Sequence, residues 1–263
     1  MLKRELKINL KSFLIWASIL MIIFLAVFLV YPSITNSDSI KNMNELMKVF
    51  PEEMLKAFNM DISSIDTAYG WLKTEGFIFV LLLVGIYASI LGSNILLKEE
   101  SDKTIEYLNS VPIKRKNILI SKILCEIIYI ISFVLIIGIF NYIGLELSGD
   151  FNRKEYILLS ITPIFSALPL FSISLFVSTF FHKTKKMFGL SLGIALMSYF
   201  VKILSEISDV TEKFKYLTVY TLSDVRNVII NASINPILII ISIMITLVFI
   251  IGSFIRYEKK ELV

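Results

Sequence analysis

Six long apolar runs, at residues 13–30, 77–97, 118–143, 156–181, 187–204 and 236–255, decide what this chain can fold into. Each is long enough to cross a hydrocarbon layer of roughly 30 Å at roughly 1.5 Å per helical residue. The composition agrees: 56% of the 263 residues are hydrophobic, 18% are charged and the mean hydropathy is +0.77. A water-soluble domain of this size could hardly carry that surface without aggregating. The reading is an all-α integral membrane protein, a single transmembrane domain over 1–263 with six helical spans.

The connections orient these spans. Residues 1–12 carry Lys3, Arg4, Lys7 and Lys11, with Leu2, Leu6 and Leu10 at four-residue spacing, the pattern of a basic amphipathic helix lying in the headgroup layer. A cleaved signal peptide would have a shorter apolar region with small residues after it, whereas Tyr31-Pro32-Ser33-Ile34 follows here. Fifteen of the Lys and Arg residues fall in the set of connections that includes both termini, the 98–117 segment and the 182–186 turn. Nine fall in the longer alternate set, 31–76, 144–155 and 205–235. Cytoplasmic connections hold the excess, so both termini and the 98–117 segment are read as cytoplasmic. Lys122 and Lys202 lie near span ends, where their long stems reach the interface, and Lys122 and Glu126 stand four apart as a structural pair. The net charge of +4 therefore follows topology, and nucleic acid is not expected as a partner.

The outer connections carry pattern of their own. Met43, Leu46, Met47 and Phe50, then Met54, Leu55 and Phe58 after Pro51, fit two short amphipathic helices, which would either close a pathway or simply cover the bundle. Thr221 to Asp224 has the form of a capping box ahead of Val225, Val228 and Ile229, which predicts another short helix before the last span. Pro163 and Pro169 interrupt the fourth span and predict a kink. Gly189 and Gly193 form a G-x-x-x-G in the fifth span that lets two helix backbones meet, either between two chains or inside one bundle. Gly85, Ser89, Gly92 and Ser93 make a similar small face on the second span.

Catalytic signatures are missing from the sequence. It has no G-x-x-x-x-G-K-[ST] phosphate loop, no H-E-x-x-H and no G-x-S-x-G. The single His182 sits in a basic turn and reads as a surface residue in contact with headgroups, and the single Cys125 reads as packing. No deep carboxylate or arginine marks an ion path, which argues against an ion-coupled carrier and places any driving energy on another chain.

One charged stretch is more organised than a connecting loop needs to be: KEESDKTIEYLNSVPIKRKNILISK, residues 98–122. Asp102 can cap a helix start, Ile105, Leu108 and Val111 share a face, Pro112 stops the helix, and Lys114, Arg115 and Lys116 follow as a basic cluster. Held between two spans, such a helix is a rigid handle that a soluble protein could grip. Its other reading is a loop helix resting on anionic lipid.

With six spans and a basic amphipathic start, this stretch resembles the permease subunits of type-2 ATP-binding-cassette (ABC) transporters, especially the single-domain bacterial ones. Glu99, Glu100, Thr104, Glu106, Leu108, Ser110, Pro112, Arg115 and Lys122 occupy the family's motif places, and Lys103 stands where the family usually has Gly. The long loop with FPEEMLKAFNM and then TEGF looks like the same family. The resemblance implies that 1–12 is an elbow helix and 98–117 a coupling helix inserted into a separate ATPase subunit. ATP and Mg would then bind that partner, with no cofactor on this chain. It also implies a second permease chain, identical or related. Ile105, Tyr107 and Leu108 would fill an apolar groove, with Glu99, Glu100, Asp102, Lys114 and Arg115 at its rim. The expected function is a non-catalytic permease of the plasma membrane, exporting amphipathic or hydrophobic cargo such as antimicrobial peptides or drugs. The alternatives are a membrane immunity or sensor protein that binds a partner without transport, and an intramembrane enzyme acting on lipid.

Overall fold

The computed structural model describes residues 1–34, 67–104, 114–207 and 210–260, and among these there are helices and no strands. In hydrocarbon no water can satisfy backbone N–H and C=O groups, so runs of this length close their hydrogen bonds internally as helices. They are α1 (Leu2–Ile34), α2 (Ala68–Trp71), a π-helical turn (Leu72–Gly76), α3 (Phe77–Ser101), α4 (Arg115–Ser148), α5 (Arg153–Ile161), α6 (Pro163–Ser178), α7 (Thr184–Ile207), 3₁₀ turns at Glu212–Tyr216 and Val219–Ser223, α8 (Val225–Asn231) and α9 (Pro236–Lys259). Six helical stretches are long and apolar enough to span a membrane: α1, α2 with α3, α4, α5 with α6, α7 and α9. Even passage number puts both termini at one end of the bundle, called the terminal end below.

The middle of the bundle is α3. It is apolar around its whole circumference, with Val80, Leu81, Val84, Tyr87, Ala88, Leu91, Ile95 and Leu96 all buried, and a helix without a polar face belongs inside. Its small residues set how closely α6 approaches. A Cβ added at Gly92 would lie 2.3 Å from the Phe171 carbonyl oxygen. Next to it Ser89 donates to the Ser191 carbonyl of α7 at 2.8 Å and lies 2.6 Å from the Ser174 hydroxyl of α6. The small face predicted on this helix therefore packs inside the chain.

The fourth span breaks where Pro163 requires it. Lacking an N–H, Pro163 cannot continue the ladder of α5, and it opens α6 instead. The Thr162 hydroxyl donates to the Leu159 carbonyl at 2.8 Å, satisfying backbone left free at the break. Pro169 is accommodated inside α6.

Two expectations change. The N-terminal amphipathic segment and the first span are not separate: α1 is one helix from Leu2 to Ile34. No Gly or Pro interrupts residues 1–31, and one face runs unbroken from Glu5 through Asn9, Phe13, Ala17, Leu20 and Phe24 toward α4. That stripe is the packed face; Leu2 and Leu6 are partly buried beside it and Leu10 is exposed. The helix before the last span exists as α8, but without the capping box. Asp224 takes a left-handed conformation (φ 47°) with no side-chain cap bond, and the Thr221 hydroxyl donates to the Lys215 and Thr218 carbonyls.

At the far end the turn ahead of α8 dips into the bundle. Tyr220 is fully buried, its ring 5.1 Å from Tyr199, and its hydroxyl fills the space that a side chain at Gly85 would need. The Ser223 hydroxyl donates to Ser166 at 2.8 Å. The amphipathic helices read over 42–60 lie outside the described residues.

Candidate functional site

Of the residues that the sequence marked for coupling, Glu99, Glu100 and Arg115 lie in or beside two buried ionic clusters at the terminal end. The first is centred on Lys122, which is 2% exposed in the second turn of α4. Its ammonium donates to Glu99 Oε1 at 2.6 Å and to the Ile95 carbonyl at 2.8 Å, both on α3, and lies 3.5 Å from Glu5 Oε2 on α1. One turn further along α4, Glu126 accepts from the Asn9 amide of α1 at 3.1 Å, and the Tyr129 hydroxyl donates to the Leu6 carbonyl. Three helices are thus fastened at one level by charge-assisted bonds.

The second cluster is centred on Glu100, whose side chain is fully enclosed. Oε1 accepts from Lys260 Nζ at 2.6 Å and Oε2 lies 2.9 Å from His182 Nδ1. Lys260 also donates to the Phe181 carbonyl at 2.6 Å, and its own carbonyl accepts from Arg115 at 3.1 Å. Burial pushes the Lys260 ammonium below the usual lysine range, while the Glu100 carboxylate pulls it back up. This cluster joins the end of α3, the start of α4, the turn between α6 and α7, and the end of α9.

Between the clusters the chain leaves α3 in a defined turn. The Asp102, Lys103 and Thr104 amides donate to the carbonyls of Lys98 (2.8 Å), Glu100 (3.3 Å) and Glu99 (2.9 Å). Lys103 has φ 56°, the left-handed region where a side chain is strained and glycine is not. That is why this position suits the family's Gly.

The predicted site residues divide accordingly. Glu99 and Glu100, read as rim residues facing a partner, are buried and paired within the chain. Asp102 closes α3 and is exposed, as are Thr104 and Lys114; Arg115 is half-buried and reaches Lys260. Ile105, Glu106, Tyr107, Leu108 and Pro112 lie outside the described residues. Gly189 and Gly193 stand on the outer side of α7, where an added Cβ would meet nothing within 4 Å.

Two sequence readings are corrected here. Lys122 does not pair with Glu126: Glu99 and Glu5 offer its ammonium oxygens from neighbouring helices, and Glu126 is taken up by Asn9. Charge does enter the bundle near its two ends: Lys122 and Glu126 at the terminal end, and at the far end Lys202, read as reaching the interface, is 7% exposed and paired with Glu206 at 3.0 Å, while the described parts of the spans at 13–30, 77–97, 156–181 and 236–255 contain no Asp, Glu, Lys or Arg. The sequence reading missed Glu5, Asn9 and Lys260, and it took His182 for a surface residue in contact with headgroups, where the half-exposed ring in fact reaches Glu100. Their partners are 82 to 160 residues distant, and the one available hint was a lone acid, Glu5, among N-terminal bases.

At the far end a cleft of about 610 Å³ opens between α1, α2 and α4, lined by Leu25, Phe28, Tyr69, Phe140 and Phe151, with Asp150 its single charged lining residue. It holds no cluster resembling that at the terminal end.

Six apolar spans, five of them arranged about α3, define a multi-pass membrane protein. The model of the ABC-2 family transporter proteins matches residues 1–262, and the chain belongs to that family, the permease subunits of type-2 ABC transporters. No curated protein and no solved structure matches it.

Proposed function

We propose that the chain is the non-catalytic membrane half of an ATP-driven exporter. A separate ATPase subunit, binding ATP and Mg, engages segment 98–117 on the cytoplasmic side of the plasma membrane, where both termini lie. A second permease chain, identical or related, pairs with this one along the α7 face that carries Gly189 and Gly193, where space is open for a facing helix. The cargo is amphipathic or hydrophobic, an antimicrobial peptide or a drug. Central stretches of span without charge support that choice, since a polar or ionic cargo would need partners there.

One observation carries this reading: both stems of segment 98–117 are clamped to the ends of the other helices. Glu99 is tied through Lys122 to α1, Glu100 through Lys260 and His182 to α9 and the α6–α7 turn, and Arg115 to Lys260. A push on the segment is therefore delivered to the bundle instead of being absorbed in a slack loop. An interface contact of this kind works through an apolar anchor, and Leu108 is the residue to remove.

The test is purification of the tagged chain in mild detergent from its native membrane. A soluble Walker-motif ATPase recovered in near-equal amount, and lost on Leu108→Asp while the chain still inserts, is the expected result. Normal recovery and transport with Leu108→Asp would remove the coupling role. A preparation lacking any ATPase, from cells that express candidates, would replace the exporter by a partner-binding immunity or sensor protein.

A further inference from the structure

Glu100 is a carboxylate with two cations of different character. Lys260 reaches Oε1 from the end of α9 and is 3% exposed; His182 reaches Oε2 from the α6–α7 turn and is 52% exposed. These two cations are separated from Glu100 by 160 and 82 residues, so a single side chain draws together three distant parts of the chain. Among the other charged and titratable groups nearby, Tyr257 on α9 interacts with Glu99, Glu100 and Arg115, Arg256 on α9 interacts with Lys260, and the Arg115 guanidinium of α4 is taken up by the Lys260 carbonyl. An enclosed carboxylate without a cation is strongly unfavourable, so one of the two must be charged for the cluster to hold. Directly after Glu100 come the three amide bonds that set the direction in which the segment leaves α3.

We propose that Lys260 and His182 are positioning residues for the 98–104 stem, acting through Glu100: Lys260 supplies the enclosed cation, and His182 supplies a second one only when protonated. This rests on the coupling reading for its consequence in transport, but the positioning itself is a property of the chain alone. With Lys260 present the stem is insensitive to pH near neutrality. Without it the stem depends on a group that gains its charge as pH falls, because histidine changes charge between about pH 5 and 8. The Glu100–His182 ion pair exists only while the imidazole is protonated.

Amide hydrogen exchange over residues 98–104 of the purified full chain reads this directly, corrected for intrinsic exchange rates at pH 6 and pH 8. The native chain and Lys260→Arg should show the same protection at both. Lys260→Met should lose about a hundredfold or more at pH 8, the lower range for stripping one partner from a buried pair, and recover most of it at pH 6. Lys260→Met/His182→Ala should be unprotected at both. Unchanged protection in Lys260→Met at pH 8, or a loss of equal size at both pH values, would overturn the proposal. If Lys260→Met does not fold, Lys260→Met/Glu100→Gln carries the test: with no carboxylate to neutralise it should fold and show no pH response, and a surviving response would refute the role of Glu100. ATP turnover of the co-purified complex separates the two readings. The expected exchange pattern with ATP turnover unaltered by Lys260→Met would leave the positioning role intact and remove the coupling reading.

Discussion

Replacing Lys122 by Met keeps the length of the side chain and removes its charge, and the consequence can be worked from the distances. At 2.6 Å from Glu99 the gross attraction is about 6 kcal/mol with an effective dielectric near 20, and desolvation of the two ions offsets most of it. The pair as a whole is therefore worth little, but removing one partner leaves Glu99 enclosed without a cation and Glu5 without its neighbour at 3.5 Å. That costs about 3–5 kcal/mol. For a chain of this size each kcal/mol moves the melting temperature by about 2–4 °C, so Lys122→Met should melt roughly 6–20 °C lower. Tryptophan fluorescence in detergent is a suitable probe, because Trp16 on α1 packs 5.8 Å from Tyr87 on α3 and reports the joint that Lys122 holds. Adding Glu99→Gln to Lys122→Met removes the stranded charge. The double variant should then be more stable than the sum of the two single losses by about 1–3 kcal/mol. Additive losses, or a Lys122→Met melt within a degree of the native chain, would refute a clamped stem.

Two further outcomes follow from close contacts. Gly92→Ala puts a Cβ 2.3 Å from a backbone oxygen of α6, which no rotamer change relieves. It should cost about 1–3 kcal/mol, read in the same melt, and a neutral result would show that α3 and α6 are not packed this closely. Lys103→Gly removes a left-handed strain of about 1–2 kcal/mol and adds about 0.5–1 kcal/mol of lost chain entropy, so the variant should melt at or slightly above the native temperature. A fall of several degrees would mean that the Lys103 side chain makes contacts that outweigh its backbone.

Much of this architecture was legible from local pattern. Six apolar runs gave six spans, Pro163 gave the break in the fourth, and the small residues of α3 gave its close neighbours, because each of these depends on a window of a few residues. What failed depended on direction and distance. The leucines of the first turns read as an amphipathic face, yet Glu5 lies on the packed side because Lys122 awaits it 117 residues later. Thr221 and Asp224 have the spacing of a cap, but Asp224 adopts φ 47° and the threonine hydroxyl turns back to Lys215 and Thr218. Glu99 and Glu100 were recognised as part of a site by resemblance, while their role within it depends on Lys122, Lys260 and His182, which no spacing in the sequence connects to them.

The two carboxylates at the end of α3 belong to different circuits although they are adjacent in sequence. Successive residues on a helix point about 100° apart, so Glu99 faces α1 and α4 while Glu100 faces α9 and the α6–α7 turn. A rotation or tilt of segment 98–117 therefore loads both sides of the bundle at once, through Lys122 on one side and Lys260 with His182 on the other. An apolar stem could slide against its neighbours at little cost in a lipid-like interior, where burial supplies almost no restoring force. Ion pairs enclosed at 2.6 Å resist sliding, since separation leaves charge without compensation. The pairs centred on Lys122 and Glu100 thus fix α1, α3, α4, α9 and the α6–α7 turn to one another at the terminal end, and the proposed coupling would draw on that stiffness.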